Sequence, residues 1–232
     1  HHLAEAVPRA LAGHAPAGMR ASFVHEPELL GTGGGLRNGL ARLVAEEGVD
    51  DESLFLVMNG DILFWPDLEG AIALHRRLDA VATMVLRPDP RARQLGALEV
   101  DGDGRVRRLL GRPEQAPAPL AEHMFTGVHV LSPRALRDLP EEGCVIRRAY
   151  RTWIDTGATV GGFVDGSDWR DLGRPAEYLR AHLDLLGGAL RWPGFEPRPD
   201  GVLRGAGATV GEGARLSRVV LGPGARVAPD VS

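Results

Sequence analysis

Short apolar runs alternate with amphipathic stretches along most of the chain, and this alternation predicts the fold. Apolar runs closed by turn residues are typical of buried strands, whereas apolar residues three or four positions apart are typical of helices. The predicted strands are 21–25, 54–58, 80–86, 124–131 and 159–164. The predicted helices are 1–13, a helix that ends near 47, 67–78, a short helix from 133, 146–152 and 175–186. Strands that alternate with helices in this way favour an α/β domain with a mostly parallel sheet.

In the run from Phe55 to Leu63, the apolar residues stop abruptly at Asn-Gly-Asp. We interpret it as a central strand of a parallel sheet, because both faces of such a strand are buried. Ligands of open α/β sheets lie beyond the carboxyl ends of the strands, which is where Asp61 would stand. A carboxylate there needs a partner, and a divalent cation is a common one. The alternative is that Asn59, Gly60 and Asp61 form only a tight turn.

A glycine-rich stretch, Leu30 to Leu40, runs into the helix that ends near Glu47. We predict a loop here, since glycines allow close backbone approach and free N–H groups at a helix start favour an anion or a nucleotide. A flexible connector remains the alternative.

The pattern changes in the second half of the chain. Residues 96–106 predict a hairpin with an Asp-Gly turn. Residues 188–201 are rich in Gly and Pro and indicate a linker between a domain at 1–187 and a tail at 202–232. The tail has an aliphatic residue at about every sixth position, which is typical of a parallel β-helix.

Composition narrows the possible functions. The hydrophobic fraction of 44% and the charged fraction of 25% are those of a globular protein. A net charge of −4 favours no nucleic-acid partner, and no apolar run is long enough for a membrane span. The single cysteine, Cys144, fits a reducing, cytoplasmic compartment. We expect Cys144 to be buried, and His129 to face outward from its strand. All 27 cationic residues are arginines, so the chain has no lysine for catalysis.

Five short motifs occur in an order that resembles the sugar-1-phosphate nucleotidyltransferases, also called NDP-sugar pyrophosphorylases. The motifs are Gly-Thr-Gly-Gly-Gly-Leu (31–36), Asn-Gly-Asp (59–61), Gly-Ala-Leu-Glu-Val (96–100), Phe-Thr-Gly-Val (125–128) and Trp-Arg-Asp-Leu-Gly-Arg-Pro (169–175). The resemblance implies a Rossmann-like nucleotidyltransferase domain of the GT-A type with a mostly parallel mixed sheet. A left-handed parallel β-helix would begin in the tail.

The resemblance also implies a reaction. A sugar-1-phosphate oxygen attacks the α-phosphorus of a nucleoside triphosphate, and pyrophosphate leaves. The family holds Mg²⁺ with two aspartates, whose positions here are Asp61 and Asp171, the implied catalytic pair. Such a transfer needs positioning and charge neutralisation more than covalent chemistry from the protein.

The resemblance assigns further residues to the two substrates, a nucleoside triphosphate and a sugar-1-phosphate. The nucleotide would contact Thr32, Gly33, Gly34, Asn59 and Gly60. The sugar would contact Gly96, Arg112, Thr126 and Gly127. The nearest family pattern is that of mannose-1-phosphate guanylyltransferases, with N-acetylmuramate-1-phosphate uridylyltransferases as the second choice. β-Helix tails often mediate assembly in this family, so a homo-oligomer is an expected arrangement.

The sequence departs from the family in two places. The family's signature loop, a Gly-x-Gly-x-Arg segment followed by Pro-Lys, lies upstream of the His-His-Leu-Ala-Glu helix in the family and is not found in these 232 residues. We therefore expect the chain to be an N-terminally truncated piece that is inactive alone. The family's Glu-Lys-Pro corresponds to Gly111-Arg112-Pro113, which keeps a positive charge but not lysine's geometry. The alternative function is a non-catalytic regulatory or scaffold subunit.

Overall fold

A computed structural model describes residues 1–12, 14, 16–117 and 119–232, together with the backbone but not the side chain of Leu95. The chain divides into two compact units, each assembled from two segments. The first unit comprises His1–Met58 and Leu68–Asp165. The second comprises Asn59–Asp67 and Gly166–Ser232.

The described residues form six α-helices, two helical turns of other types and twelve short strands. The helices are α1 (Ala6–Leu11), α2 (Gly31–Glu47), α3 (Leu68–Leu78), α4 (Ala92–Leu95), α5 (Arg151–Asp155) and α6 (Pro175–Leu186), with a 3₁₀ helix at Pro133–Asp138 and a π-helical turn at Ile146–Tyr150. The strands of the first unit are β1 (Phe55–Met58), β3 (Ala82–Arg87), β4 (Leu98–Val100), β5 (Val106–Leu109), β6 (Ala121–Leu131) and β7 (Val160–Val164). Those of the second are β2 (Ile62–Phe64), β8 (Trp169–Asp171), β9 (Val202–Arg204), β10 (Thr209–Val210), β11 (Val219–Leu221) and β12 (Arg226–Val227).

The first unit is built on a mixed six-stranded sheet in the order β5-β4-β6-β3-β7, with β1 beside the second half of β6. The prediction of a mixed sheet is confirmed, but the expected dominance of parallel pairs is wrong for the described strands. Among the described strands of this sheet only β3 and β7 pair in parallel, whereas β6 is antiparallel to β1, β3 and β4. The long strand β6 is therefore the centre of the sheet.

Strand β1 is correct in position but not in environment. It is not a central parallel strand, because among the described residues its only strand partner is β6, which runs antiparallel to it. Phe55 is buried, whereas Leu56 and Met58 are 49% and 46% exposed. The two faces of a strand alternate along the chain. An unbroken apolar run can thus form a strand that has one buried face and one exposed face.

The glycine-rich stretch is helical and does not form a loop. Helix α2 begins at Gly31, so the glycines make its first turns. The strand predicted at 21–25 is absent from the described residues, and the first helix covers only Ala6–Leu11 of the predicted 1–13, whose residue 13 lies outside the described residues. The hairpin of β4 and β5, helix α3 and helix α6 are confirmed.

The core holds an aromatic row that includes a histidine. His129 is buried against Phe125 and Tyr150, and Tyr150 packs edge-on against Trp153. Nδ1 of His129 and the hydroxyl of Tyr150 share a hydrogen bond of 2.5 Å. The prediction of an outward-facing His129 is wrong, because this hydrogen bond satisfies its ring inside the sheet's packing layer.

Two smaller predictions can be compared with the described residues. Cys144 is exposed, so the expectation of a buried thiol is wrong. The residue precedes the π-helical turn, where its neighbour Val145 is the buried side chain. No helix in the described part of the chain is long and apolar enough to span a bilayer.

The second unit joins a short antiparallel ladder to a helix and two parallel pairs. β2 pairs with β8, and α6 follows β8 after a turn. In the tail, β9 pairs in parallel with β11 and β10 with β12. The unit thus takes its first strand from a segment far upstream of the rest.

Candidate active site

The two predicted acids lie side by side at one end of the β2–β8 ladder. Asp171 pairs with Ile62, the residue that follows Asp61. Beyond that pair, the backbone N–H of Leu172 donates to the carbonyl oxygen of Asp61 at 2.8 Å. Residues 110 positions apart in the sequence therefore meet as neighbours, as the motif order predicts.

Gly173 measures how closely the two carboxylates converge. A Cβ built on Gly173 would stand 3.1 Å from Oδ1 of Asp171 and 3.3 Å from Oδ2 of Asp61. The backbone N–H of Gly173 also donates to Oδ1 of Asp171 at 2.8 Å. The two oxygens thus border a space that only glycine leaves open, and oxygen ligands of this kind are what Mg²⁺ prefers.

The strand that carries Asp171 is anchored to helix α6. Nε of Arg170 donates to Oδ2 of Asp184 at 3.0 Å, and both side chains are largely buried. A partly buried charge-assisted bond is stronger than an exposed one and holds the strand in place. This bond holds Arg170, the residue before Asp171, in place, while the side chain of Asp171 itself is exposed.

Carboxylates outside the pair do not enlarge the site into a cluster. Among the described residues, no group of three or more His, Cys, Asp or Glu side chains could hold a metal ion. Asp168, three residues before Asp171 in the sequence, accepts the backbone N–H of Arg191 at 3.2 Å. The pair therefore offers two carboxylates, and a bound cation would complete its shell with substrate oxygens or water.

Asn59 and Gly60 form the exposed turn that leads into Asp61. A Cβ on Gly60 would meet no atom within 4 Å, so the turn has open space beside it. These two nucleotide candidates belong to the same unit as the acid pair. The other nucleotide candidates and all four sugar candidates belong to the first unit.

Thr32, Gly33 and Gly34 lie against the chain's own turn at 140–145. The N–H of Gly33 donates to the carbonyl oxygen of Gly143 at 2.7 Å, and Oγ1 of Thr32 accepts the N–H of Val145 at 3.0 Å. A Cβ on Gly33 would stand 2.5 Å from Cγ of Pro140. The close approach that the glycines allow is therefore an approach of two segments of the protein.

Thr126 and Gly127 form a bulge in β6. The pairing with β3 shifts register between Val85 and Leu86, and Gly127 has φ +89°. The hydroxyl of Thr126 donates to the carbonyl oxygen of Val85 at 2.7 Å. Bulges recur beside active sites because they redirect a strand's side chains.

Gly96 and Arg112 lie on neighbouring loops. Gly96 ends α4 in the left-handed region, with φ +99°. Leu110 donates its N–H to the carbonyl oxygen of Ala97 at 3.0 Å, which joins the loop before Arg112 to the start of β4. The structure therefore brings these two sugar candidates to one edge of the sheet, and the side chain of Arg112 is exposed.

Sequence reasoning missed two features that hold these residues in place. The 140–145 turn against the glycines left no recognisable signal, because its contact partner is more than a hundred residues away. Gly173 is part of the Trp-Arg-Asp-Leu-Gly-Arg-Pro motif, but the spacing of the motif did not indicate that both carboxylates lie close to it.

Comparisons with known proteins show the family to which the chain belongs. A family model described as nucleotidyl transferase matches residues 2–187. Mannose-1-phosphate guanylyltransferase of Mycobacterium tuberculosis is 31% identical over 218 residues, covering 91% of this chain and 57% of that protein. UTP–glucose-1-phosphate uridylyltransferase of Synechocystis is 25% identical over 177 residues, covering 73% of this chain and 44% of that protein. The chain thus spans about half the length of the curated relatives it matches.

The fold also has solved counterparts. HddC from Yersinia pseudotuberculosis, crystallised in complex with GMP-PN, superposes with a TM-score of 0.55 at 20% identity, covering 78% of this chain and 73% of that one. This likeness concerns the arrangement of strands and helices, and it agrees with the mixed sheet described above. The family model covers most of the chain, and the chain belongs to the nucleotidyl transferase family.

Proposed function

We propose that the protein transfers a nucleotidyl group from a nucleoside triphosphate to a sugar-1-phosphate. A phosphate oxygen of the sugar attacks the α-phosphorus, the bond to the β-phosphate oxygen breaks, and pyrophosphate leaves. The observation that carries the proposal is the convergence of Asp61 and Asp171 on Gly173. Family membership supports the reaction class, and the relative from M. tuberculosis supports GTP and mannose-1-phosphate as the first pair to test.

Asp61 and Asp171 would hold the Mg²⁺ that this proposal includes. Their two oxygens and the open space at Gly173 suit an ion that takes few protein carboxylates. When bound, Mg²⁺ would neutralise phosphate charge. The chain's own part is to hold both carboxylates in place through the β2–β8 ladder and the Arg170–Asp184 bond.

The remaining candidates keep the roles that the motif order suggests. Thr32, Gly33, Gly34, Asn59 and Gly60 are proposed to face the nucleotide. Gly33 is buried and its N–H is already bonded to Gly143, so its proposed part is to shape the start of α2 and not to donate a hydrogen bond to the nucleotide. The sugar-phosphate is proposed to lie near Gly96, Arg112, Thr126 and Gly127, with Arg112 as the positive charge.

The tail is proposed to begin a left-handed β-helix. Val202 pairs with Val219 and Thr209 with Arg226, which is the same offset of 17 residues (219 minus 202 and 226 minus 209). A constant offset between parallel pairs is expected when a chain winds in coils of nearly equal length. Such a tail is a surface on which copies of the protein could assemble.

A second candidate function is a non-catalytic regulatory or scaffold subunit. The observation in its favour is that the 232 residues contain no lysine, and therefore no Gly-x-Gly-x-Arg segment that is followed by Pro-Lys. For the same reason we propose that this chain alone does not turn over substrate. The acid pair favours the enzyme, because a scaffold does not require two converging carboxylates.

A pyrophosphate-release assay on the full-length protein tests the proposal. Four nucleoside triphosphates would be paired with mannose-, glucose- and N-acetylmuramate-1-phosphate in the presence of Mg²⁺. We expect turnover with GTP and mannose-1-phosphate, and its loss in Asp61→Asn and Asp171→Asn. Glu177→Gln, an exposed acid on α6, is the matched control that should retain activity.

The outcomes separate the two candidate functions. Absence of turnover with every pair would favour the non-catalytic subunit. Turnover that survives both Asp61→Asn and Asp171→Asn would leave the reaction in place but refute the proposed metal ligands.

A further inference from the structure

The second unit contains a cleft of about 430 Å³ to which the proposed reaction assigns no role. Its walls are formed by Trp65, Ser167, Asp168, Arg191, Trp192 and Pro193. Small-molecule sites are usually clefts of this size with aromatic walls and a few polar groups. The volume of the cleft and the composition of its walls are therefore those of a small-molecule site.

The cleft lies at the end of the β2–β8 ladder opposite the acid pair. Phe64 pairs with Trp169, so Trp65 and Asp168 are the residues that continue the two strands beyond that pair. A strand rises about 3.3 Å per residue, so Asp168 lies roughly 10 Å along the strand from Asp171. The cleft and the acid pair are thus separate places on one ladder.

Two tryptophans give the cleft a rigid aromatic wall. The rings of Trp65 and Trp192 meet edge to face, with centroids 5.7 Å apart and planes at 84°. Trp65 is nevertheless 62% exposed, which is unusual for the largest aromatic side chain. An edge-on partner fixes the orientation of the Trp65 ring and leaves a flat apolar surface facing solvent.

Two charged residues of opposite sign complete the walls. Oδ2 of Asp168 accepts the backbone N–H of Arg191, which ties the segment after α6 to the start of β8. An ionised carboxylate has about four lone-pair sites, so one such bond leaves capacity for a ligand donor. Arg191 also lines the cleft, and a guanidinium carries five N–H donors and no acceptor.

From this combination we propose that the cleft binds a neutral saccharide ring. The C–H face of a pyranose would stack on Trp65, and its hydroxyl groups would donate to Asp168 and accept from Arg191. A cationic ligand would meet Arg191, and an anionic one would meet Asp168, whereas a neutral polyol uses both. The site goes beyond the proposed reaction and does not depend on it.

Saturation-transfer difference NMR with methyl α-D-mannopyranoside and methyl α-D-glucopyranoside tests the site. These probes lack a phosphate, and the experiment needs neither nucleotide nor metal. We expect transfer to the ring protons of at least one glycoside, with millimolar affinity. Trp65→Ala should weaken binding by about tenfold or more, and Asp168→Asn, which keeps the side chain's shape, by about threefold.

Two control variants locate the signal. Tyr178→Ala removes another exposed aromatic of the same unit, one that packs against His182 outside the cleft, and it should bind like the unmodified protein. Arg112→Ala should also bind normally, because Arg112 belongs to the proposed sugar-phosphate pocket. Failure of the pyrophosphate-release assay would leave these expectations unchanged.

Four outcomes would overturn the proposal. They are the absence of transfer for both glycosides, equal transfer in Trp65→Ala, loss of transfer in Arg112→Ala or Tyr178→Ala, and selective binding of tetramethylammonium in place of the sugars. The last result would identify the cleft as a cation site.

Discussion

At Gly173 a hydrogen atom stands where any other residue would place a carbon, and both carboxylates of the acid pair lie close to that position. In Gly173→Ala the new Cβ would lie 3.1 Å from Asp171 and 3.3 Å from Asp61, and would push the two carboxylates apart. We expect the affinity for Mn²⁺, used as a probe of the proposed Mg²⁺ site, to fall by about tenfold or more. Electron paramagnetic resonance of free Mn²⁺ measures this change.

Gly166→Ala is the matched control for that substitution. It adds the same carbon in the same unit, at a glycine whose Cβ would meet no atom within 4 Å. Its Mn²⁺ affinity should equal that of the unmodified protein. Equal affinities in both variants would show that Gly173 does not set the spacing of the acids.

His129 should make the fold sensitive to acid. Burial lowers the pKa of His129 to about 4 from the ordinary value of 6.5. In the unfolded chain His129 therefore binds a proton below pH 6.5, whereas in the folded chain it binds one only below about pH 4. The stabilisation is fully present above pH 6.5 and is lost as the pH falls through 4, to an extent on the order of 3 kcal/mol.

Urea unfolding at pH 7, 5.5 and 4.5 checks this expectation by comparison with His129→Gln. The variant should be less stable at pH 7, because Tyr150 loses its partner. The difference between the two proteins should shrink as the pH falls, since only one of them titrates. A difference that is constant over this range would refute the lowered pKa.

His75 is a second buried histidine whose hydrogen bonds fix one tautomer. The hydroxyl of Ser132 donates to the carbonyl oxygen of Ala80, so it can only accept from Nε2 of His75 at 2.9 Å. Nδ1 then accepts from the hydroxyl of Thr83 at 3.0 Å. Burial lowers the pKa of His75 to about 4 as well, which agrees with a neutral ring.

Sequence reasoning at the residue scale succeeded where chemistry and chain order coincide. Asp61 and Asp171 were paired from two motifs, and the structure places them together. His129 was misjudged, because alternation along a strand indicates which residues share a face but not which face is covered. Tyr150 and Trp153 cover this face, and they come from a later helical segment whose position cannot be predicted from the sequence of β6.

At the scale of elements, helix α2 contains two kinds of glycine. A Cβ on Gly34 would collide with the carbonyl oxygen of Glu141, whereas a Cβ on Gly39 would meet nothing within 4 Å. We expect Gly34→Ala to lower the free energy of unfolding by about 1–3 kcal/mol through overpacking. Gly39→Ala should raise it by about 0.5–1 kcal/mol, because alanine favours the helix.

Chemical denaturation of both variants measures these opposite signs in one helix. Stabilisation by both substitutions would mean that the 140–143 turn moves away at little cost. Destabilisation by both would mean that the helix interior, and not the turn, limits side-chain size.

Element types were easier to predict than their neighbours. Helices α3 and α6 follow from apolar spacing and from Pro175 at a helix start. The glycine stretch was predicted as a loop for close approach to a ligand, yet its glycines lie within helix α2 and approach the turn at 140–143 instead. Parallel pairing was overestimated, since an apolar run specifies burial and not the direction of the adjacent strand.

At the scale of the whole molecule, the tail depends on contacts between its own turns. Deleting 217–232 removes the parallel partners of both β9 and β10. We expect amide exchange at 202–204 to approach the rate of an unstructured peptide, because those amides lose their ladder. Hydrogen exchange with mass spectrometry measures it, with a peptide covering 82–87 as the internal reference.

Protection that persists at 202–204 after the deletion would show that β9 does not rely on β11. The hexapeptide spacing predicts a β-helical tail from residue 202, and this stays a prediction. The division of the chain did not follow from composition, because 59–67 joins 166–232 in the second unit although a long, well-patterned domain separates them.

That division has a consequence for synthesis on the ribosome. β2 leaves the exit tunnel about a hundred residues before β8, the strand with which it pairs. At about 5–20 residues per second, Ile62, Leu63 and Phe64 wait roughly 5–20 s for their partner. The first unit can complete its sheet in that interval, whereas the acid pair can assemble only after Asp171 emerges. A pause in translation after Val164 has left the tunnel, but before Asp171 has left it, would therefore delay the acid pair without delaying the larger sheet.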